Sequence, residues 1–290
     1  MPFEFKRKES PAKAVRRVCR ERIGAARERL REGGHSEVIH DVRREIKKLR
    51  AIFRLARGQG GGAYRKSVKA LREAAGYLAA SRDARVMLKA FEKLTQGRAR
   101  RFVEIEKALR KHSRREIRRF ERKKSISVAD ELLRKIGRRV RDLKIRSSGW
   151  AAIEPGLKQS YFRGREAYAL ARRNPSPEHF HDWRKHAKGL WYYLQLLRPA
   201  WRPEMRAMTD DFERLGGQLG EDHDLFLLEE FVSRRGAGRP GEAAALKRLV
   251  ESRERELRAA ALKLGSRLYA EAPAAFCRRL RNYWDLWRGK

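Results

Sequence analysis

The stretch HDVRREIKKL at residues 40–49 returns as HDWRKHAKGL at residues 181–190, at an offset of 141 residues. Continued without a gap, the same offset pairs Phe53 with Leu194 and Asp83 with Asp224. Separate blocks that agree on one offset indicate a duplication rather than a chance likeness between helical sequences. We therefore predict two related halves, residues 1–148 and residues 149–290.

The sequence on either side of these stretches has the composition of helices. Alanine, leucine, arginine, lysine and glutamate dominate, β-branched residues are sparse, and no segment of useful length alternates apolar with polar residues. Glycine- and proline-rich breaks divide the chain into twelve predicted helices, among them separate helices near residues 204–219 and 223–235. Because the repeats of a solenoid are shorter than these halves, we expect an all-α fold of two related, internally duplicated helical bundles.

Charge is the most unusual feature of the composition. The 290 residues include 73 Lys and Arg against 37 Asp and Glu, which gives a formal net charge of +36. Residues 1–145 carry +27 of that charge and residues 146–290 carry +9. Like charge at this density destabilises a folded protein through self-repulsion unless a polyanion relieves it. We therefore expect a partner with many negative charges.

Composition also excludes several classes of protein. The dispersed aromatic residues argue against a disordered chain, and Cys19 and Cys277 form neither a disulfide framework nor a metal-ligand pattern. The longest uncharged, apolar-rich run, residues 189–197, has about half the length of a membrane helix. No apolar signal stretch follows Met1, so we expect a cytoplasmic protein that does not associate with membranes.

Each of the two repeated stretches has an apolar and a basic face when drawn as a helix. Val42, Ile46 and Leu49 share one side of the first helix, and Trp183 and Leu190 share the corresponding side of the second. The basic faces hold His40, Arg43, Arg44, Lys47, Arg50 and Arg54 in the first helix, and His181, Arg184, Lys185 and Lys188 in the second. A single basic face is usually only solvated, but two at the same phase favour a binding function.

These residue types suit phosphate. Arginine grips two oxygens with a planar fork, lysine supplies a compact charge, and histidine donates a hydrogen bond and gains charge beside a polyanion. Spacings of three and four residues place successive donors about 5.4 Å apart along one line, which fits a linear run of negative groups better than a compact mononucleotide. The preceding helices add Arg20, Tyr161 and Arg165 as candidates, although core packing explains the tyrosine equally well.

The two His-led stretches resemble the signature helices of the CHAD family, the conserved histidine α-helical domain. The Gly-x-Leu-x4-Asp segments that end at Asp83 and Asp224 resemble the second block of the family, and the resemblance runs from about residue 10 to residue 287. It implies an all-α fold of two related bundles around a basic central cavity or groove. It also implies binding of inorganic polyphosphate, with attachment to polyphosphate granules in some members.

The resemblance carries binding roles onto particular positions of this chain. By position, the implied ligand-binding residues are His40, Arg43, Arg44, Lys47, His181, Arg184, Lys185 and Lys188. Tyr161 and Arg165 match the pattern of the family less closely. The second copy departs from the first at Gly189, where the first has Lys48, and at Trp191, where the first has Arg50. We therefore expect its half of the groove to be less charged or partly occluded.

Catalysis has no support in the sequence. CHAD domains are often joined to a triphosphate-tunnel catalytic domain with an ExExK strand, but here Glu106 is followed directly by Lys107 in a helical segment. The run DHD at residues 222–224 is not repeated, because Arg82 takes the place of His223 in the first copy. We expect a stand-alone binding module with no enzymatic activity, no cofactor and no metal.

Nucleic-acid binding is the alternative function. Its best support is the strongly basic helix at residues 107–124, which would contact the RNA or DNA backbone. No segment resembles a base-reading motif. A scaffold associated with granules or ribosomes, using the same basic helix, is a third hypothesis.

Overall fold

The described residues of the chain are almost entirely helical. The computed structural model describes residues 3–33, 36–56, 61–122 and 124–289, without the side chains of Ser36, Ala80, Ser81, Arg82, Ala99, Glu121 and Arg122. These residues form eleven α-helices, three short 3-10 helices and no β-strand, which confirms the all-α prediction. The predicted breaks at Gly34 and at residues 58–60 lie outside the described residues.

The helices follow one another along the chain with short connections. Their bounds are α1 Pro11–Arg31, α2 Ser36–Leu55, α3 Gly61–Tyr77, α4 Ala80–Leu94, α5 Val103–Arg122, α6 Ser125–Arg141, α7 Glu154–Arg173, α8 Pro177–Leu197, α9 Arg202–Arg235, α10 Pro240–Leu268 and α11 Pro273–Arg288. The His-led stretches fall on α2 and α8, whose first residues are 141 positions apart. This spacing is what a duplication requires, and the duplication itself remains a prediction.

Local sequence signals fix where α8 begins. The side chain of Ser176 accepts a hydrogen bond from the backbone N–H of His179 at 3.3 Å, and Pro177 occupies the first helical position. Serine at the N-cap satisfies a donor that has no partner within the helix, and the fixed φ of proline suits the first turn. These two residues fix where the helix starts, and burial of Trp183 and Leu190 sets the direction of its basic face.

Helix α9 corrects one prediction. The separate helices expected near residues 204–219 and 223–235 are a single helix of 34 residues, Arg202–Arg235. Glycine in a helix interior costs about 1 kcal/mol relative to alanine, yet this helix contains Gly216, Gly217 and Gly220. The helix continues because its interior packs between α8 and α10, and Gly216 and Gly220 are buried there.

The hydrophobic core does not divide at the midpoint of the chain. One cluster joins α1, α2, α3 and α6 to α7, α8, α11 and the first half of α9, with Trp183 and Phe53 among its buried members. A second cluster joins α4 and α5 to the rest of α9 and to α10, around Phe91, Phe102 and Leu228. Each cluster takes residues from both predicted halves, so these halves share their cores.

This packing sets α2 against α8. The apolar faces predicted for them are buried, since Val42, Leu49, Trp183 and Leu190 are all 0% exposed. With those faces turned into the core, the basic residues of both helices line a common space. No helix in the described part of the chain has the length and apolar character needed to cross a membrane.

Candidate functional site

A cavity of 320 Å³ lies between α2 and α8, and we name it the α2–α8 cavity. Its lining residues are Arg43, Lys47, Arg50, Ala51, Arg54, Asp83, His181, Arg184, Lys185, Lys188, Gly189, Tyr192 and His223. The cations come from both His-led helices, while Asp83 is contributed by α4 and His223 by α9. The structure therefore brings together two stretches that lie 141 residues apart in the sequence.

A second cavity of 520 Å³, the α3–α7 cavity, adjoins the first. Its lining residues are Arg54, Tyr64, Arg65, Val68, Lys69, Arg72, Gly156, Gln159, Ser160, Arg163, Lys185, His186, Gly189 and Tyr193. The two cavities share Arg54, Lys185 and Gly189, and together we call them the basic groove. Among the described lining residues of the groove, eleven are lysine or arginine and one, Asp83, is a carboxylate.

Glycines give the long basic side chains of α8 their positions. A Cβ atom on Gly216 of α9 would lie 3.4 Å from Cε of Lys188, and one on Gly220 would lie 3.6 Å from Nε of Arg184. The side chains of Lys188 and Arg184 therefore lie close against α9, over positions that have no side chain of their own. Space at these points allows both cations to reach the cavity.

The groove also explains why the second copy has Gly189 where the first copy has Lys48. A Cβ atom there would lie 3.9 Å from Nη1 of Arg54 and 3.9 Å from Oγ of Ser160. A lysine at this position, as in the first copy, would compete with Arg54 for the space between the two cavities. Position 189 has no lysine, and Arg54, which reaches across from α2, supplies the positive charge there instead.

Several like charges lie close together inside the groove. The pKa of Arg50 is lowered by burial and by the charges of Arg54, Arg72 and Arg43. Arg43, also on α2, donates a hydrogen bond from Nη1 to the backbone oxygen of Ala75 at 2.9 Å, which fixes its direction. Like charges held this close raise the energy of the free protein, and a bound anion would lower it.

His181 is placed beside a second histidine. Its ring centroid lies 4.0 Å from that of His223, and its Nδ1 atom is buried with no hydrogen-bond partner in the described part of the chain. Burial lowers the pKa of His181, as do the charges of Lys185 and Arg184, while Asp182 acts in the opposite direction. The imidazole of the free protein is therefore neutral at neutral pH.

Most of the predicted binding residues meet in the α2–α8 cavity. The eight that line it are Arg43, Lys47, Arg50, Arg54, His181, Arg184, Lys185 and Lys188. The other predicted residues lie elsewhere. His40 and Arg44 are exposed on α2, where Arg44 lies 3.1 Å from Asp41, and Arg20 and Arg165 are exposed on α1 and α7 outside both cavities.

Tyr161 lies in the core and is not among the described lining residues of either cavity. The side chain is 0% exposed, and its ring stacks on Phe276 with centroids 4.0 Å apart. Its hydroxyl donates to the backbone oxygens of Leu268 at 3.1 Å and Glu271 at 3.3 Å. Burial is also the main reason why the pKa of Tyr161 is raised to about 12. Core packing with a satisfied hydroxyl, the other interpretation of this residue, is what the structure shows.

Helix α3 contributes cations to the groove that were not predicted from the sequence. Arg65, Lys69 and Arg72 line the α3–α7 cavity, together with Arg163 of α7. Their spacings of four and three residues match those of the His-led helices, so a signal was present. It could not be distinguished from a solvated face, because α3 has no counterpart of the repeated motif.

Asp222, the first residue of the run at 222–224, has a structural role. Asp222 is 2% exposed and accepts a hydrogen bond from Nε of Arg258 at 2.6 Å, which ties α9 to α10. Within the described residues, no group of three or more histidine, cysteine or acidic side chains is arranged to hold a metal ion.

Comparisons with known proteins agree with this architecture. The family model described as "CHAD domain" matches residues 14–233 of the chain. A search of curated proteins gave no match. Among solved structures, the chain is similar to the crystal structure of the CHAD domain from the plant Ricinus communis, with a TM-score of 0.59 and 16% identity over 93% of this chain and 89% of that one. Since the family model covers most of the sequence, the chain belongs to the CHAD domain family.

Proposed function

We propose that this protein binds inorganic polyphosphate in the basic groove and performs no catalysis there. The observation that carries the proposal is the charge of the groove, where eleven cations from α2, α3, α7 and α8 accompany one carboxylate among the described lining residues. Polyphosphate is a linear chain of anions, and its oxygens suit both the arginine fork and the lysine point charge. Association with polyphosphate granules is part of the same proposal.

The shape of the groove favours a chain over a compact anion. Arg54 and Lys185 line both cavities, so one linear ligand can extend from the α2–α8 cavity into the α3–α7 cavity while it keeps contact with both residues. Cavities of 320 and 520 Å³ have the size of small-ligand sites. A nucleic-acid duplex, whose major groove alone is about 12 Å wide, does not enter a cavity of this size.

Binding across a salt series tests the proposal. We would compare polyphosphate of defined chain lengths with duplex DNA and structured RNA, using the native chain and the double variant Lys47→Gln/Lys188→Gln. Both residues line the α2–α8 cavity. A matched control, Lys89→Gln/Lys263→Gln, removes the same charge from exposed positions on α4 and α10.

Salt weakens every polyanion complex through counterion release, so preference at high salt is the informative quantity. We expect the native chain and the control to retain polyphosphate at salt concentrations where nucleic acid is released, and the cavity variant to lose this preference. Equal binding of polyphosphate by the cavity variant and the control would show that the ligand lies elsewhere.

A further inference from the structure

Helix α5 carries a second basic surface that is separate from the groove. Its described members are Lys111, Arg114, Arg115, Arg118 and Arg119, and we name them the α5 stripe. All five side chains are exposed, and none of them lines either cavity. The side chain of Arg122 and all of Lys123, which belong to the basic segment predicted from the sequence, lie outside the described residues.

The spacing of the α5 stripe is that of one helix face. Steps of three and four residues keep the five side chains within an arc of about 140° and spread them over about 12 Å of helix length. The opposite face packs into the second core cluster through Ile105 and Leu109. The stripe therefore faces solvent directly, on a helix whose other side is anchored.

Neighbouring acids do not neutralise this surface. Lys107 and Arg110, which precede the stripe, pair with Glu104 at 2.9 Å and with Glu106 at 2.7 Å. The five members of the stripe form no such pair with any described residue. Like charges three and four residues apart destabilise a helix, a cost that alternating glutamate and lysine would avoid. A polyanion laid along the helix would remove that cost.

We propose that the α5 stripe binds the phosphate backbone of double-stranded nucleic acid without reading its sequence. Four of its five members are arginine, whose planar fork grips phosphate. Single-strand binders stack bases on aromatic side chains, and membrane-surface helices pair their cations with a large apolar face. Neither feature is present, since Val103, in the first turn, is the one large hydrophobic side chain exposed on the described part of α5.

The salt dependence of binding to a short DNA duplex tests this proposal. Five phosphate contacts predict a slope of about −4.5 in log K against log salt. The variant Arg114→Gln/Arg115→Gln/Arg118→Gln should reduce the slope to about −1.8, because each lost contact removes about 0.9. The variant with lysine at the same three positions keeps the charge and should keep the slope near about −4.5.

Three arginines elsewhere on the surface provide the matched control. Arg206, Arg248 and Arg267 are exposed on α9 and α10, and their replacement by glutamine changes the net charge equally. Circular dichroism confirms that each variant keeps its helix content. The groove variant Lys47→Gln/Lys188→Gln should bind the duplex with an unchanged slope, which separates this surface from the proposed polyphosphate site.

Three results would overturn the proposal. The first is an equal reduction in slope for the α5 variant and the control triple variant. The second is equally tight binding of a single-stranded oligonucleotide of the same charge. The third is stripe-dependent binding to vesicles of anionic phospholipid that exceeds binding to the duplex.

Discussion

Lys188 lies against helix α9 at Gly216, where a Cβ atom would be 3.4 Å from Cε of the lysine and 3.5 Å from its Cγ. A leucine at this position would extend beyond Cβ into the space that the lysine stem occupies. We expect Gly216→Leu to displace the ammonium group from the α2–α8 cavity and to weaken polyphosphate binding about tenfold, since one charge-assisted contact is worth at least about 1.4 kcal/mol. Isothermal titration calorimetry measures this loss.

Gly217 provides the control, because it is exposed and a Cβ atom there meets nothing within 4 Å. Gly217→Leu should keep the native affinity and stabilise the fold by about 0.8 kcal/mol through helix propensity alone. If the two leucine variants bind polyphosphate equally well, Lys188 does not depend on the space at Gly216.

We expect the charge of Arg50 to lower the stability of the free protein and to strengthen polyphosphate binding. Burial, together with the charges of Arg54, Arg72 and Arg43, lowers its pKa in the free protein. Arg50→Met keeps the apolar stem and removes the repelled charge, so we expect the free energy of unfolding to rise by about 0.5–2 kcal/mol. Polyphosphate affinity should fall in the same variant. Urea denaturation and calorimetry measure the two effects.

The exposed Arg206 on α9 gives a comparison for this substitution. Arg206→Met removes the same charge from solvent and should change both quantities little, because surface substitutions are usually within ±0.5 kcal/mol. A lower free energy of unfolding for Arg50→Met would contradict the expectation that repulsion between Arg50 and the neighbouring arginines destabilises the free protein.

The sequence predicted those parts of the site that depend on local helix phase. The basic faces of α2 and α8 follow from spacings of three and four residues, and burial of Val42 and Trp183 turns these faces toward one cavity. The α3–α7 cavity could not be predicted in the same way. Arg65 and Arg72 become part of the groove only through the position of α3 beside α7 and α8, which is a tertiary property.

Helix α9 shows how packing overrides a local expectation. The sequence predicted separate helices near residues 204–219 and 223–235. In the structure, Gly216 and Gly220 lie within one continuous helix, where they give room to Lys188 and Arg184. Helix propensity is a weak prior that packing overrides, and the packing partners of α9 were not known before the fold was assembled.

Tyr161 should affect stability and leave binding unchanged. Its hydroxyl donates to the backbone oxygens of Leu268 and Glu271 at the end of α10. Tyr161→Phe removes that donor and should lower the free energy of unfolding by about 1 kcal/mol. Tyr77, which is 41% exposed, is the control, and Tyr77→Phe should change neither quantity. If Tyr161→Phe bound polyphosphate more weakly but kept native stability, Tyr161 would be a ligand-binding residue of the groove.

From the surroundings of His181 we expect polyphosphate binding to depend on pH. In the free protein its pKa is lowered by burial and by Lys185 and Arg184. A polyanion in the cavity favours the charged imidazolium and raises this pKa, so binding takes up a proton. Polyphosphate affinity should therefore rise as the pH falls through the range between the two pKa values. Calorimetry in buffers of different ionisation enthalpy counts the protons taken up.

Without ligand, the same lowered pKa has the opposite consequence. The unfolded chain binds the proton more readily than the folded one, so stability is present above the ordinary histidine pKa of about 6.5 and is lost as the pH falls below it. His181→Gln should reduce both the proton uptake on binding and the loss of stability in acid. His179, whose Nδ1 lies 2.6 Å from the backbone oxygen of Asn174 and which lines neither cavity, is the control. Unchanged proton uptake in His181→Gln would mean that the anion does not approach this imidazole.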